Sequence, residues 1–355
     1  MLLTISAIVG TQNAQAQGEV RSYSNEFLSL GVGARGLAMG NAVSASTRDV
    51  TASYWNPAGL NDVDSLQVSA MHAEWFAGIA KYDYAGFALP IAGGDQAVSL
   101  SVIRFAVDNI PNTLFILEPD GSINYDNISV FSAADYAALL SYARSFGNLR
   151  VGATAKVVNR RVGTFATAWG VGLDLGVQYL MGRNLRASLT IKDFPRTLNT
   201  WAFNFTEEEK QQLAVAENII PVNSVELTGQ RIILGAAYKV VIANRIGLLA
   251  EVNADLTTDG QRNTLVSGEG FGLDPKAGIE LSYGTSLFLR AGVNNIQTFT
   301  DDIDGTEFTS IQPNVGVGLR IKEVQIDYAF TGLNRTSDGI FSHIVSLRLD
   351  FAGRK

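Results

Sequence analysis

The feature that most constrains this chain is a period of two in hydropathy, recurring from about residue 65 to the end of its 355 residues. Val171, Leu173, Leu175, Val177 and Tyr179 alternate with Gly172, Asp174, Gly176 and Gln178. Ile246, Leu248, Ala250 and Val252 alternate with Gly247, Glu251 and Asn253, and Val315, Val317, Leu319 and Ile321 with Gly316, Gly318 and Arg320. The last run sets Val345, Leu347, Leu349 and Phe351 against Ser346, Arg348 and Asp350. Successive side chains of a strand point to opposite faces, so each run has one aliphatic face and one of small and charged residues. A soluble sandwich also alternates. These runs, however, are about 9 to 12 residues long, which suits a tilted crossing of a bilayer better than an average soluble strand. Their polar face is rich in glycine, which weakens an ordinary strand but lets a crowded barrel interior close over another segment.

The links between runs alternate in length. Short ones fall at Ala92–Asp95, Gly147–Asn148, Gly182–Asn184, Ala243–Asn244, Gly284–Thr285 and Lys322–Glu323. Long ones fall at Asp108–Phe131, Arg161–Thr167, Pro195–Gly229, Thr257–Gly270, Asn295–Glu307 and Thr331–Gly339, and only the first, near Glu74–Ile79, is short. Outer-membrane barrels have this asymmetry of short periplasmic turns and long outer loops. Lipid leaves no unpaired backbone group satisfied, so such a sheet must close on itself. The runs number about fourteen, as even as a single-chain bacterial barrel requires. The expected fold is therefore an all-β, antiparallel transmembrane barrel over residues 63–355, with both termini periplasmic. Aromatic residues near run ends (Trp75, Phe76, Tyr142, Phe146, Trp169, Tyr179, Tyr238, Tyr283, Tyr328) suit interfacial girdles against outer-membrane lipid.

Composition removes several classes of function. A net charge of -7 without any Lys/Arg stripe excludes nucleic acid as a partner. There is no cysteine, and the two histidines, His72 and His343, lie within strand runs without ligand spacing, so no metal or cofactor is expected. No serine has a neighbourhood that would activate it, so an enzyme is not expected either. Met1–Val9 is apolar and Ala14-Gln15-Ala16 precedes Gln17 in the manner of a signal-peptidase site, although no Lys or Arg comes before Arg21. Residues 1–16 therefore read as a signal peptide and residues 17–62 as a plug in the lumen.

That second segment breaks the strand pattern. Gly31, Gly33, Gly36 and Gly40 crowd a stretch with no strand or helix period, and Trp55-Asn56-Pro57-Ala58-Gly59 is a turn signature where the chain would leave the lumen. The spacing fits no phosphate-binding fingerprint. Arg35 in so apolar a setting needs a partner, which Glu251, Asp255, Glu280 or Asp327 could supply from the polar strand faces. The run FLSLGVGARGLAMGNAVSASTRDVTASYWNPAGL, Phe27 to Leu60, resembles the N-terminal signature of the PorV/PorQ family of Bacteroidetes outer-membrane proteins, relatives of the FadL transporters. The residues that carry the resemblance include Gly31, Gly33, Arg35, Met39, Gly40, Trp55, Asn56, Pro57 and Gly59. It differs from that pattern at the end, where Ala352–Lys355 follows Phe351.

The resemblance implies a fourteen-stranded barrel with a lumenal hatch and a place in the type 9 secretion system. A protein of that kind binds a giant translocon barrel (SprA or Sov) and the C-terminal β-domains of exported cargo. It passes the cargo to a surface attachment complex containing a PorU-like peptidase. Partner contacts are then expected on the long links, at Phe115, Ile116, Leu117, Phe203, Phe205, Glu208 and Leu213, the last two on a short helix after Thr206. The alternative is a FadL-like transporter of hydrophobic small molecules.

Overall fold

The computed structural model describes residues 24–91, 94–118, 120–215, 222–243, 245–258, 264–268, 270–300, 307–332 and 341–351. The proposed signal peptide and the residues after Phe351 lie outside them.

Fourteen antiparallel strands close into a barrel: β1 (Leu66–Trp75), β2 (Ala80–Ile91), β3 (Gln96–Asn112), β4 (Ser129–Phe146), β5 (Leu149–Val162), β6 (Ala166–Met181), β7 (Leu185–Lys192), β10 (Arg231–Ala243), β11 (Ile246–Thr257), β13 (Phe271–Tyr283), β14 (Leu287–Thr300), β15 (Glu307–Ile321), β16 (Val324–Thr331) and β17 (Ser342–Phe351). Each pairs with its neighbour in this order, and β1 seals the ring against β17 from Leu66 opposite Phe351 to Glu74 opposite His343. The aliphatic faces point outward. Val317 is 48% exposed and Ile321 61%, whereas Asn314 on the other face is 2% exposed. A soluble sheet would hide the first face, and a barrel in lipid must present it. The strand count, the closure and the facing of the alternation are those expected from sequence.

Three further strands were not legible. β8 (Thr197–Phe203) and β9 (Ser224–Thr228) form a hairpin inside the link after β7, and β12 (Val266–Gly268) pairs with β13. β6 pairs with β7 only from Leu175 to Met181, and its other half, Ala166 to Val171, pairs with β8. The link placed at Arg161–Thr167 is also corrected. β5 and β6 run on through it and leave a turn of residues 163–165. Wall strands reach 18 residues in β4, beyond the 9 to 12 read from hydropathy, because their ends continue past the apolar band. One end of the barrel thus carries short turns and Phe351, and the other carries most of the long links.

Candidate functional site

Residues 24–63 occupy the bore. They include the short helices α1 (Ala34–Ala38) and α2 (Ala52–Trp55) and a 3-10 turn, Pro57–Asp62. Helix α1 lies against β14 to β17, and the 3-10 turn against β3 to β6 on the opposite wall. Val32, Ala38, Met39, Val43, Trp55 and Leu60 are all buried.

The segment is tied together before it is tied to the wall. The Trp55 indole donates to the Val32 carbonyl at 2.9 Å, and the Tyr54 hydroxyl accepts from the Gly31 amide at 3.1 Å and donates to the Leu28 carbonyl at 2.5 Å. Asn56 caps the 3-10 turn, its side chain accepting from the Ala58 amide at 3.1 Å, with Pro57 supplying the preset φ of a first helical position. Gly59 passes against the Thr47 carbonyl, where any side chain would collide with backbone. Gly33 donates its amide to the Met71 sulfur at 3.0 Å. The residues that carry the family resemblance are therefore those that shape this segment and press it to the barrel.

Wall glycines face it. Gly278 and Gly292 sit opposite each other on β13 and β14, and a Cβ on either would strike the Met39 backbone. Gly40 follows Met39 with φ +62°, a left-handed turn that glycine adopts without strain, and it packs on the Val293 backbone. Gly316 meets Ala38, Gly152 meets Pro57, and Gly176 meets Asn56 and Pro57. These five wall glycines are notches that receive the segment, whereas others, such as Gly172 and Gly318, make room for neighbouring wall side chains.

Polar bonds hold it at several heights. Arg35 donates from Nε to Glu280 at 2.9 Å, which selects one of the four carboxylates that sequence left open. Glu280 also takes Arg290 at 2.7 Å, and Arg290 reaches Asp327 at 2.6 Å. Asp255 instead pairs with Lys276 at 2.5 Å. Glu251 accepts from the Ala45 and Ser46 amides at 2.7 and 3.0 Å. Arg348 reaches Asp49 at 2.8 Å, Asp62 pairs with Arg150 and with Arg186 (2.7 Å), and the Ser346 hydroxyl accepts from the Ala34 amide at 2.6 Å. Sequence named Glu251 as a partner for Arg35, whereas it holds main-chain amides instead, and it missed Arg290, Arg348 and Ser346 as anchors, although their inward phase in the alternation was visible.

Burial alone would raise the carboxyl pKa of Asp49 and Asp62, but Arg348 beside the first, and Arg186 and Arg150 beside the second, hold both below the ordinary value. A depressed pKa contributes stability that is complete above the unfolded value, about 4, and is lost as pH falls through the folded value. The thermal midpoint should therefore be insensitive to these two groups from pH 8 to about 5 and fall below about 4. Asp62→Asn should flatten part of that acid limb in a circular-dichroism melt, and an unaltered acid limb would exclude this anchor as a contributor.

Two spaces remain. Toward the long links a cavity of about 30 Å³ between Ser24, Lys156, Asp174, Lys192 and Arg231 holds no more than a water or two. Toward the short turns a cavity of about 990 Å³ lies under Arg35 and Ala45–Asp49 and is rimmed by the turn residues Arg183, Asn184, Lys322 and Glu323. Among the described residues no cluster of His, Asp and Glu has metal-ligand geometry. His72 instead bonds Asp83 at 2.7 Å on the outward face, and His343 bonds the Tyr328 hydroxyl at 2.7 Å beside Phe330 and Phe341.

The outer-link residues divide. Phe115, Ile116 and Leu117 are half-buried, and the Leu117 carbonyl accepts from Gln212 of helix α3 (Glu207–Val215) at 2.6 Å, joining the link after β3 to that after β7. Thr206 caps α3 reciprocally with Glu209, Leu213 is half-buried, and Glu208 is exposed. Phe203 and Phe205 belong to an aromatic stack that runs Trp201, Phe203, Phe205, Phe165, and Phe131 meets Phe165 edge to face at its end.

No family model and no curated protein matches the sequence. Solved structures do. The toluene transporter TodX of Pseudomonas putida superposes with a TM-score of 0.55 at 14% identity, over 90% of this chain and 98% of its own. The CymD monoaromatic hydrocarbon channel gives 0.55 at 14% identity over 92% and 99%, and a Pseudomonas aeruginosa FadL homologue gives 0.52 at 12% over 90% and 98%. At these identities the likeness is one of fold. The chain has the closed fourteen-stranded β-barrel fold of FadL-like outer-membrane proteins.

Proposed function

We propose that this protein is an outer-membrane transporter of hydrophobic small molecules in which residues 24–63 act as a hatch, with the short turns and both chain ends on the periplasmic side. The observation that carries the reading is a bore filled by a separately shaped segment that joins the wall covalently only at β1 and is otherwise held by polar bonds and glycine notches. The likeness to hydrocarbon transporters over nine-tenths of the chain supports it. Cells lacking the chain should take up a labelled aromatic hydrocarbon such as toluene several-fold more slowly, with recovery on complementation. Unchanged uptake would overturn the reading.

A second reading is favoured by the outer end. There β8, β9 and α3 build a platform with an aromatic stack, and the hatch segment carries the resemblance to secretion-system barrels. On that reading the platform holds cargo β-domains beside a translocon barrel and hands them to an attachment complex. The same deletion strain separates the two, because it would keep normal uptake and lose proteins from the cell surface.

A further inference from the structure

We propose that the cavity at the short-turn end is a binding site for a small multivalent anion, of the kind that carries several phosphate or carboxylate groups. This goes beyond transport and stands whether or not that reading holds.

The cavity of about 990 Å³ is lined by nine Lys or Arg side chains and six carboxylates, so positive charge is in excess before pairing is considered. Cations remain in excess after pairing, with Asp64 and Glu323 the lining carboxylates that take no cation among the described residues. Glu280 is taken by Arg35 and Arg290, Asp62 by Arg150 and Arg186, and Asp49 by Arg348. Arg48, Arg183 and Lys239 line the same space and reach no carboxylate among the described residues. They come from three places in the chain: Arg48 from the segment in the bore, Arg183 from the turn between β6 and β7, and Lys239 from β10. Unrelated elements thus aim free cations into one concavity. Burial depresses the Arg48 guanidinium below its ordinary pKa, opposed by Asp62 and Glu280 and reinforced by the neighbouring charges of Arg186 and Arg35. A cation so placed gains from an anion that a solvated surface cation would not hold. Low-dielectric walls of one predominant sign focus the field and raise the local anion concentration. The volume exceeds that of a single inorganic ion and suits a molecule with two or more charged groups, which could bridge the guanidinium of Arg48 and the ammonium of Lys239.

The test uses the full chain in detergent micelles, titrated calorimetrically with pyrophosphate in one arm and citrate in the other. Saturable binding that weakens with salt is expected, with the double variant Arg48→Gln/Lys239→Met raising Kd by at least about tenfold. Arg183→Gln, on a surface turn where folding is not at stake, should weaken binding by a smaller factor. Lys210→Ala on the opposite end should leave it unchanged. Preference for pyrophosphate over citrate assigns a phosphate ligand, and the reverse a polycarboxylate. Absence of saturable binding by either probe, or binding that survives both the double variant and Arg183→Gln, overturns the proposal.

Discussion

Replacing Gly292 with valine should turn a sealed barrel into a conducting one. A Cβ at this position would lie within the backbone of Met39 and Gly40, and Gly278 opposite leaves no room for those residues to slide sideways. Valine suits the strand itself, so the wall ladder has no reason to break. The strain falls on the segment in the bore. Overpacking of well-fitted interiors costs roughly 1–3 kcal/mol where side chains can yield, and here the obstacle is main chain. Relief requires Met39 to withdraw, which draws Arg35 off Glu280. In planar bilayers the wild type should be nearly silent and the variant should show discrete conductance steps. Trypsin should cleave the folded variant after Arg35 and Arg48. Gly270→Ala, where an added Cβ meets nothing, is the matched control. A Gly292→Val barrel that stays silent and protease-resistant would show that the notch does not hold the segment.

The second large effect is expected at Glu251. Its carboxylate is 1% exposed and accepts two main-chain amides, of Ala45 and Ser46. Glu251→Leu keeps the volume and removes both acceptors, leaving two buried N–H groups at about 1–3 kcal/mol each. Exchange of those two amides with deuterium should accelerate by about thirtyfold or more. Glu251→Gln retains one acceptor oxygen and should fall between. Equal protection in all three proteins would mean that the amides are satisfied by something other than this carboxylate.

The wall was legible because it obeys a local rule. Val315 to Ile321 must alternate to face lipid on one side and the bore on the other, and that constraint is written every second residue. The rule lapses wherever both faces meet water. Arg160 and Arg161 carry no apolar phase, so the continuation of β5 to Val162 was invisible, and the five residues of β9 lay hidden in a polar link. The occupant of the bore was legible only as an exception to the pattern. Its partners were not, since Arg35 and Glu280 are 245 positions apart and four carboxylates had the correct inward phase. Only the three-dimensional register chooses among them. The conversion of Glu251 from an ion-pair candidate to an acceptor of main-chain amides shows the limit most clearly, because sequence does not display a free N–H.

The bond from the Ala34 amide to Ser346 carries a consequence for biogenesis. Ala34 precedes the first strand in the chain and Ser346 lies on the last strand, which also forms the seam with β1. The segment cannot acquire its final set of contacts until the C-terminal strand has been delivered and the ring has shut. Premature seating would leave Ala34 and Asp49 without their partners on β17, and late seating would have to thread a finished ring. A chain truncated before β17 should therefore hold its own core less firmly, with faster proteolysis after Arg35 and Arg48 than in the full chain.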